Sequence, residues 1–194
     1  MAILTRQDES RVQSLVPIRH GRMSATAFSF YRGGAAIMAA DLAKGPTTDM
    51  GVQLCGDAHL SNFGIFRAAD RAMVFDVNDF DETLPGPFGW DVKRLVASVI
   101  IAGRNNGFDR KDSRRAARFA VQRYRDEMHA AMDRTPLQNH YTSIDVEKWM
   151  NERASSNTKK ERKRAMKALT KAQSKNSLRA FRKLTDIRDG RRVI

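Results

Sequence analysis

Two stretches of this chain hold residues whose types and spacing could do chemistry together. The first reads Leu54-Cys55-Gly56-Asp57-Ala58-His59-Leu60-Ser61-Asn62-Phe63-Gly64, and the second Val74-Phe75-Asp76-Val77-Asn78-Asp79-Phe80-Asp81-Glu82. Asn62 follows Asp57 by five residues, and Asp79 comes after a segment that reads as a hairpin. Two carboxylates and an amide oxygen on loops at strand ends are the set that phosphoryl transfer uses. One carboxylate orients or deprotonates the attacking hydroxyl. The amide oxygen and the second carboxylate hold the metal that neutralises the phosphates. Asp57 takes the first, catalytic role, and Asn62 and Asp79 the metal-binding one. The spacing D-x-x-x-x-N alone matches by chance often. Gly-Asp-x-His-x-x-Asn after a strand, then a hairpin, then Asn-Asp-Phe-Asp, is far more specific.

The neighbouring polar residues have plainer readings beside the functional ones. His59 could ligate a metal or carry a proton, but a histidine in such a loop more often holds the loop by hydrogen bonds, and that is the reading adopted. Asp81 is either a carboxylate standing behind the metal ligands or a solvated loop acid. Arg32 either binds phosphate or pairs with an acidic loop residue. Asp91 reads as a helix N-cap whose carboxylate braces the loop that carries Asp57. Glu82 reads as structural. Cys55, the single cysteine, reads as a small apolar filler.

The elements that must position these residues follow from periodicity. Residues 1–32 read as irregular, with Pro17, Gly21 and Ser24-Ala25-Thr26 breaking any period. Ala35–Ala43 reads as a helix ended by Gly45-Pro46, and 51–55 as a strand. Phe63–Arg67 and Met73–Val77 read as paired strands, and 79–90 as a long loop rich in Pro and Gly. Asp91 then opens a helix with Leu95, Val99 and Ala102 as its apolar stripe, stopped by Asn105-Asn106-Gly107. Asp109 caps a helix reaching about Asp133. Thr142 or Ser143 starts another, through Arg153. Thr158-Lys159-Lys160-Glu161 fits a capping box before a basic helix to Lys171, and Ser174 or Asn176 begins a last short one. Asp189-Gly190 signals a hairpin turn whose second strand has barely begun at Ile194. The fold class expected is α+β, mostly helical, with a small sheet or hairpin. The expected organisation is an irregular segment over 1–32, a catalytic-loop core over 33–135, and a basic helical tail over 136–194 ending in an incomplete hairpin.

Composition bounds the rest. The chain has 194 residues, 41% hydrophobic, with a mean hydropathy of −0.54, which suits one globular domain, or one domain with a tail. The longest apolar runs are far too short for a membrane span, and the first ten residues lack the apolar stretch of a secretory signal. A cytoplasmic location is the expectation. One cysteine excludes an internal disulfide. The net charge of +13 is uneven: residues 1–103 carry 10 basic and 11 acidic side chains, and residues 104–194 carry 25 and 11. From Arg153 to Arg192 there are 15 basic and 3 acidic residues but one aromatic, Phe181. A solvated helix face is the first reading of that stretch, and nonspecific nucleic-acid affinity the second.

The Asp57 block resembles the catalytic loop of aminoglycoside phosphotransferases, in which a further Asp opens the next helix twelve residues after the metal-binding one. Asp79 to Asp91 is that distance, which favours Asp79 over Asp76 as the metal-binding residue. The chain from about Leu15 to Leu184 resembles more closely the bacterial family known as domain of unknown function 2252. The resemblance is carried by Val16-Pro17-Ile18-Arg19, Phe30-Tyr31-Arg32-Gly33, the 55–64 and 75–87 blocks, and Trp90-Asp91-Val92-Lys93-Arg94-Leu95. It implies a kinase-like enzyme using ATP and Mg²⁺ on an unknown phosphate acceptor. It also implies that members are longer, with the glycine-rich loop and nucleotide-binding lysine downstream of the catalytic loop. This chain contains no G-x-G-x-x-G. The expectation is therefore an N-terminal, truncated portion that lacks the nucleotide-binding lobe and is inactive alone. Two rivals stand beside it: a basic helical nucleic-acid-binding module, and a metal-dependent phosphoesterase suggested by Asp57-x-His59. The latter needs more histidines at strand ends than His20, His129 and His140 supply.

Overall fold

Helices open the chain where an irregular segment was expected. The computed structural model describes residues 2–68, 70–152, 158, 163, 166, 167, 169, 170, 172, 186–188 and 191–193. Within 1–32 and just beyond lie α1 (Ala2–Asp8), α2 (Val16–Met23) and α3 (Ala27–Gly33), with a 3-10 turn at Gln13–Leu15. Pro17 does not break α2, because it falls in the first turn, where its missing N–H has no intrahelical partner. Thr26 caps α3, its hydroxyl accepting from the Ser29 N–H at 3.0 Å. α4 (Ala35–Leu42) follows as the small apolar run predicts.

β1 (Gly51–Leu54) pairs antiparallel with β4 (Leu84–Pro87), Gly51 opposite Pro87 and Leu54 opposite Leu84. β4 lies inside the segment read as a loop. Its two prolines are tolerated because a two-stranded sheet consists only of edges. β2 (Phe63–Arg67) and β3 (Met73–Val77) have the expected bounds and lie side by side, with β5 (Ile144–Asp145) antiparallel on the other side of β3.

α5 (Gly89–Asn105) and α6 (Arg110–Met132) pack against each other. Gly103 lets them approach: a Cβ there would meet Ser113 Oγ at 2.6 Å. α5 begins at Gly89 with Phe88 as N-cap, so Asp91 is not the cap but sits in the first turn. Gly107, with φ +80°, turns the chain out of α5, and Asp109 caps α6 by accepting from the Asp112 N–H at 2.6 Å. α7 (Pro136–His140) was not foreseen, although Thr135 and Gln138 form a capping box around it. α8 (Val146–Glu152) starts later than Thr142 or Ser143, because Asp145 is the residue that accepts from its first turn, at Lys148 N–H, 3.0 Å.

The chain divides into two units, residues 1–63 with 77–141, and residues 64–76 with 142–194. The second has its own core of Met73, Val146, Leu169 and Ala172, with Ile65 and Met150 packed on it. Of the basic helix expected over 158–171, the described positions 163, 166, 167, 169 and 170 are helical; Lys163 and Lys167 are exposed and Leu169 is buried. The helix expected from Ser174 or Asn176 lies outside the described residues, as do Asp189 and Gly190. β6 (Asp186–Arg188) and β7 (Arg191–Val193) pair antiparallel across them, Arg188 opposite Arg191, so both strands of that hairpin are formed. The architecture is α+β and mostly helical, as the periodicity predicts. No helix among the described residues is long and apolar enough to cross a membrane.

Candidate functional site

The 55–62 loop is held by one face of α5. Asp91, Arg94 and Ser98 stand three and four residues apart, so they line one side of the helix. Each takes a different part of the loop. The Asp91 carboxylate accepts from the backbone N–H groups of Cys55 at 2.7 Å and Gly56 at 3.1 Å. The Arg94 guanidinium binds the Asp57 carboxylate, Nε donating to Oδ1 at 2.6 Å and Nη2 to the same oxygen. Ser98, with none of its surface exposed, accepts from the Leu60 N–H at 3.0 Å and donates to the Leu95 carbonyl. The brace expected of Asp91 is thus present without the N-cap role. Gly56 permits the sharp entry to this loop: its φ is +83°, and a Cβ there would overlap the Glu82 carbonyl.

Arg94 is the residue the sequence reading missed. It is only 3% exposed, and every side of it is partnered. Besides Asp57, its Nη2 donates to the Tyr31 carbonyl at 3.1 Å, and the guanidinium lies 4.6 Å from the Tyr31 ring centroid. The sequence marks it only as one member of the polar stripe D-x-x-R-x-x-x-S on α5, which does not name its partner.

His59 also holds Asp57. Its Nδ1 accepts from the Ser61 N–H at 3.1 Å, which places the ring hydrogen on Nε2, 3.4 Å from Asp57 Oδ2. Burial acts to raise the Asp57 carboxyl. The hydrogen bond from His59 and the positive charge of Arg94 outweigh that and hold it below the usual aspartate range. Asp57 therefore stays ionised and is a weak base at neutral pH.

Asn62 is 4% exposed and ties the two motif stretches together. Its Nδ2 donates to the Asp57 carbonyl and to the Asp79 carbonyl, both at 3.0 Å. Those two carbonyls fix which end of the amide is nitrogen, since an oxygen there would face two acceptors. Asn62 Oδ1 is then left buried with no hydrogen-bond partner among the described residues. Buried acceptors in native proteins are nearly always satisfied, so such an atom calls for an explanation. The Asn78 N–H donates to the Asn62 carbonyl at 3.1 Å, closing the open end of the β2–β3 hairpin next to Asp79.

Asp57, His59, Asn62 and Asp79 line one cleft of about 700 Å³, together with Arg19, Arg22 and Arg32. The sequence-predicted triad of Asp57, Asn62 and Asp79 thus shares a cavity, and Arg32 belongs to it. Asp81 and Asp91 do not line it. Asp81 is exposed, and its backbone N–H reaches Asp79 Oδ1 at 3.4 Å. The Glu82 carboxyl is pushed up first by burial and then by the nearby Asp57, Asp79 and Asp81 charges. Burial likewise raises the Cys55 thiol, which fits a filler and not a nucleophile.

The donor set suits a hard cation of a particular kind. Among the described residues no three His, Cys, Asp or Glu side chains gather to hold a metal. Asp57 is engaged by Arg94, which leaves Asn62 Oδ1 and the exposed Asp79 carboxylate. Two protein oxygens are too few for a caged Ca²⁺, but they suit Mg²⁺, which keeps several waters and takes the rest of its ligands from substrate phosphates. The unpartnered Asn62 oxygen fits such an ion.

Residues 11–194 match the family described as "uncharacterized protein conserved in bacteria", domain of unknown function 2252. The chain belongs to that family. The match begins between α1 and α2, and so takes in Arg19, Arg22, Arg32, the 55–62 loop, Asp79 and the bracing face of α5. No curated protein and no solved structure matches the chain.

Proposed function

We propose that this chain carries the acceptor-orienting and metal-binding side of a kinase-like phosphotransferase. The observation that carries the reading is Asn62 Oδ1, a buried acceptor without a partner on a residue that lines the same cleft as Asp57 and Asp79. Asn62 and Asp79 would hold Mg²⁺, whose charge offsets that of the phosphates when it is bound. Asp57 accepts a hydrogen bond from the acceptor hydroxyl and aims it. Two of its lone-pair directions are taken by Arg94 and His59, and a carboxylate has capacity beyond these. Its lowered carboxyl matters little to the rate, because phosphoryl transfer through a loose transition state asks more for positioning than for a strong base.

The test is Mn²⁺ binding by the full chain, read from the loss of free-ion electron spin resonance signal. Asn62→Ala and Asp79→Asn should each weaken it by about tenfold or more, as loss of one of two protein oxygens implies. Mn²⁺ affinity unmoved by both substitutions would overturn the reading. With Mg²⁺ and ATP, the expected turnover is no higher than that of an Asp57→Asn, Asp79→Asn control, since these residues contain no glycine-rich loop. Turnover that the control abolishes would place a nucleotide site within the chain.

A second reading, nonspecific nucleic-acid binding, has an observation of its own, located on α6 and not on the tail. Arg110, Lys111, Arg114, Arg115 and Arg118 border one surface hollow. Of these, Arg115 is paired, with Asp112 at 3.0 Å.

A further inference from the structure

We infer that Arg22 and Arg32 form a phosphate-group site in the cleft, the place where the phosphoryl-bearing ligand is held. The inference deepens the phosphotransferase reading and rests on it for the reaction, though not for the anion site itself. It comes from counting charges within the cleft lining. The Asp57 carboxylate is matched by buried Arg94. Arg19 is spent inside the fold: its Nη2 donates to the Gly33 carbonyl at 3.1 Å, and its Nη1 lies 3.6 Å from Asp8 Oδ1. Arg22 and Arg32 are exposed, and their side chains make no ion pair or hydrogen bond with any described residue. Two guanidinium groups are thus left against one unmatched carboxylate, Asp79.

These two arginines are also held in place from behind. Arg19 precedes Arg22 by three residues on α2, and its partner Gly33 directly follows Arg32, so the Arg19–Gly33 hydrogen bond ties the helix of one to the end of the helix of the other. The helices touch closely there, since a Cβ on Gly33 would meet the Met23 side chain at 2.7 Å. Surface arginines near helix C-termini are ordinary, because the helix dipole favours them. What sets this pair apart is that both line the cleft that Asn62, with its unsatisfied buried oxygen, also lines, and neither has an acid among the described residues. A planar guanidinium fork matches phosphate oxygens two at a time, which makes a phosphate group the ligand these donors fit. A nucleotide tail and a phosphomonoester present the same group.

The experiment is calorimetric titration of the full chain with inorganic pyrophosphate, first without metal. Arg22→Ala with Arg32→Ala should weaken binding by about tenfold or more, the loss expected when charge-assisted hydrogen bonds go. Arg22→Lys with Arg32→Lys keeps charge and fold but removes the forks, and should weaken binding several-fold; it carries the test if the alanine pair melts early. Arg110→Ala, Arg114→Ala, Arg118→Ala on α6 should bind as wild type. Competition against pyrophosphate by ATP or by glycerol 3-phosphate tells whether a nucleotide tail or a phosphomonoester is preferred, and displacement by either supports the site. No pyrophosphate binding, binding indifferent to the Arg22 and Arg32 substitutions, or equal loss in the α6 variant overturns it. Adding Mg²⁺ separates the two claims. Arginine-dependent binding with no gain from Mg²⁺ leaves the anion site standing and removes the phosphotransferase reading. A gain lost in Asn62→Ala, with no role for the arginines, does the reverse.

Discussion

Arg94 on α5 and the basic residues of α6 carry the same charge on neighbouring helices of one unit, yet they do opposite things. Arg94 is buried, meets Asp57 with two nitrogens, and also reaches Tyr31. Arg110, Lys111, Arg114 and Arg118 line an open hollow and have no acidic partner among the described residues. Burial decides the difference. Water screens the α6 charges, so they add little to stability and stay available to a ligand. The Arg94 charge is removed from water and survives only because its partners are in place. The same side chain is therefore a structural pin in one helix and a solvated charge on the other.

The largest effect that bears on this contrast is expected from Arg94→Ala. It leaves the Asp57 carboxylate partly buried without its counter-charge, which should cost about 3–5 kcal/mol in urea or thermal unfolding of the full chain. The acid side of the stability profile should change as well. The Asp57 carboxyl lies below its usual range in the folded state, so the unfolded chain binds a proton there at higher pH. The stabilisation is present above the ordinary aspartate range and disappears as pH falls through the folded value. Stability of the wild-type chain should therefore drop on acidification below about pH 4, and Arg94→Ala should flatten that drop. A loss under about 1 kcal/mol with an unchanged acid limb would mean that Arg94 is no pin.

Gly56→Ala comes next. A side chain there meets the Glu82 backbone and must also hold a positive φ, so a loss of about 1–3 kcal/mol is expected, with weaker Mn²⁺ binding because the loop bearing Asp57 and Asn62 must shift. Full retention of both stability and metal affinity would show that the loop entry does not constrain the site.

Much of this machinery is local in sequence and was legible for that reason. The bounds of β2 and β3 follow from alternation, the Asp109 cap and the Gly107 exit from neighbours one to three residues away, and the cleft set of Asp57, Asn62 and Asp79 from motif spacing. What escaped depends on distance. Arg94 meets Asp57 across 37 residues, and nothing near Arg94 announces a carboxylate. β4 hid behind Pro85 and Pro87, since its partner β1 lies some thirty residues earlier. The helices of 2–33 are each seven or eight residues long, too short to hold by propensity alone. They exist through packing that no window of sequence displays, and so Arg19 and Arg22 could not be placed in the cleft from the sequence.

Ser98→Ala should have a smaller effect than the two substitutions above. It leaves the Leu60 N–H without its acceptor in a partly buried setting, for about 1–2 kcal/mol, and should leave the Asp57–Arg94 pair in place. The measurement is the unfolding midpoint together with the acid limb of the stability curve, which this substitution should not alter. A flattened limb would show that Ser98 and Arg94 act as one unit.

The smallest stability change is expected where the largest change in surface charge is made. Arg110→Ala, Arg114→Ala and Arg118→Ala together remove three cations from α6, at positions four residues apart on one face. None of them is paired with an acid among the described residues, and alanine is the better helix former, so unfolding should move by no more than about 0.5 kcal/mol in either direction. Binding to polyanions is where the loss should appear. If α6 is a nucleic-acid surface, a random duplex should bind the wild-type chain with an affinity that falls linearly in log salt. The slope of the triple variant should be shallower by about 0.9 for each arginine that meets a phosphate. Pyrophosphate affinity should not move, because the cleft has its own pair in Arg22 and Arg32. A variant that unfolds early, or that keeps the full salt slope, would erase the distinction between pinned and free arginines.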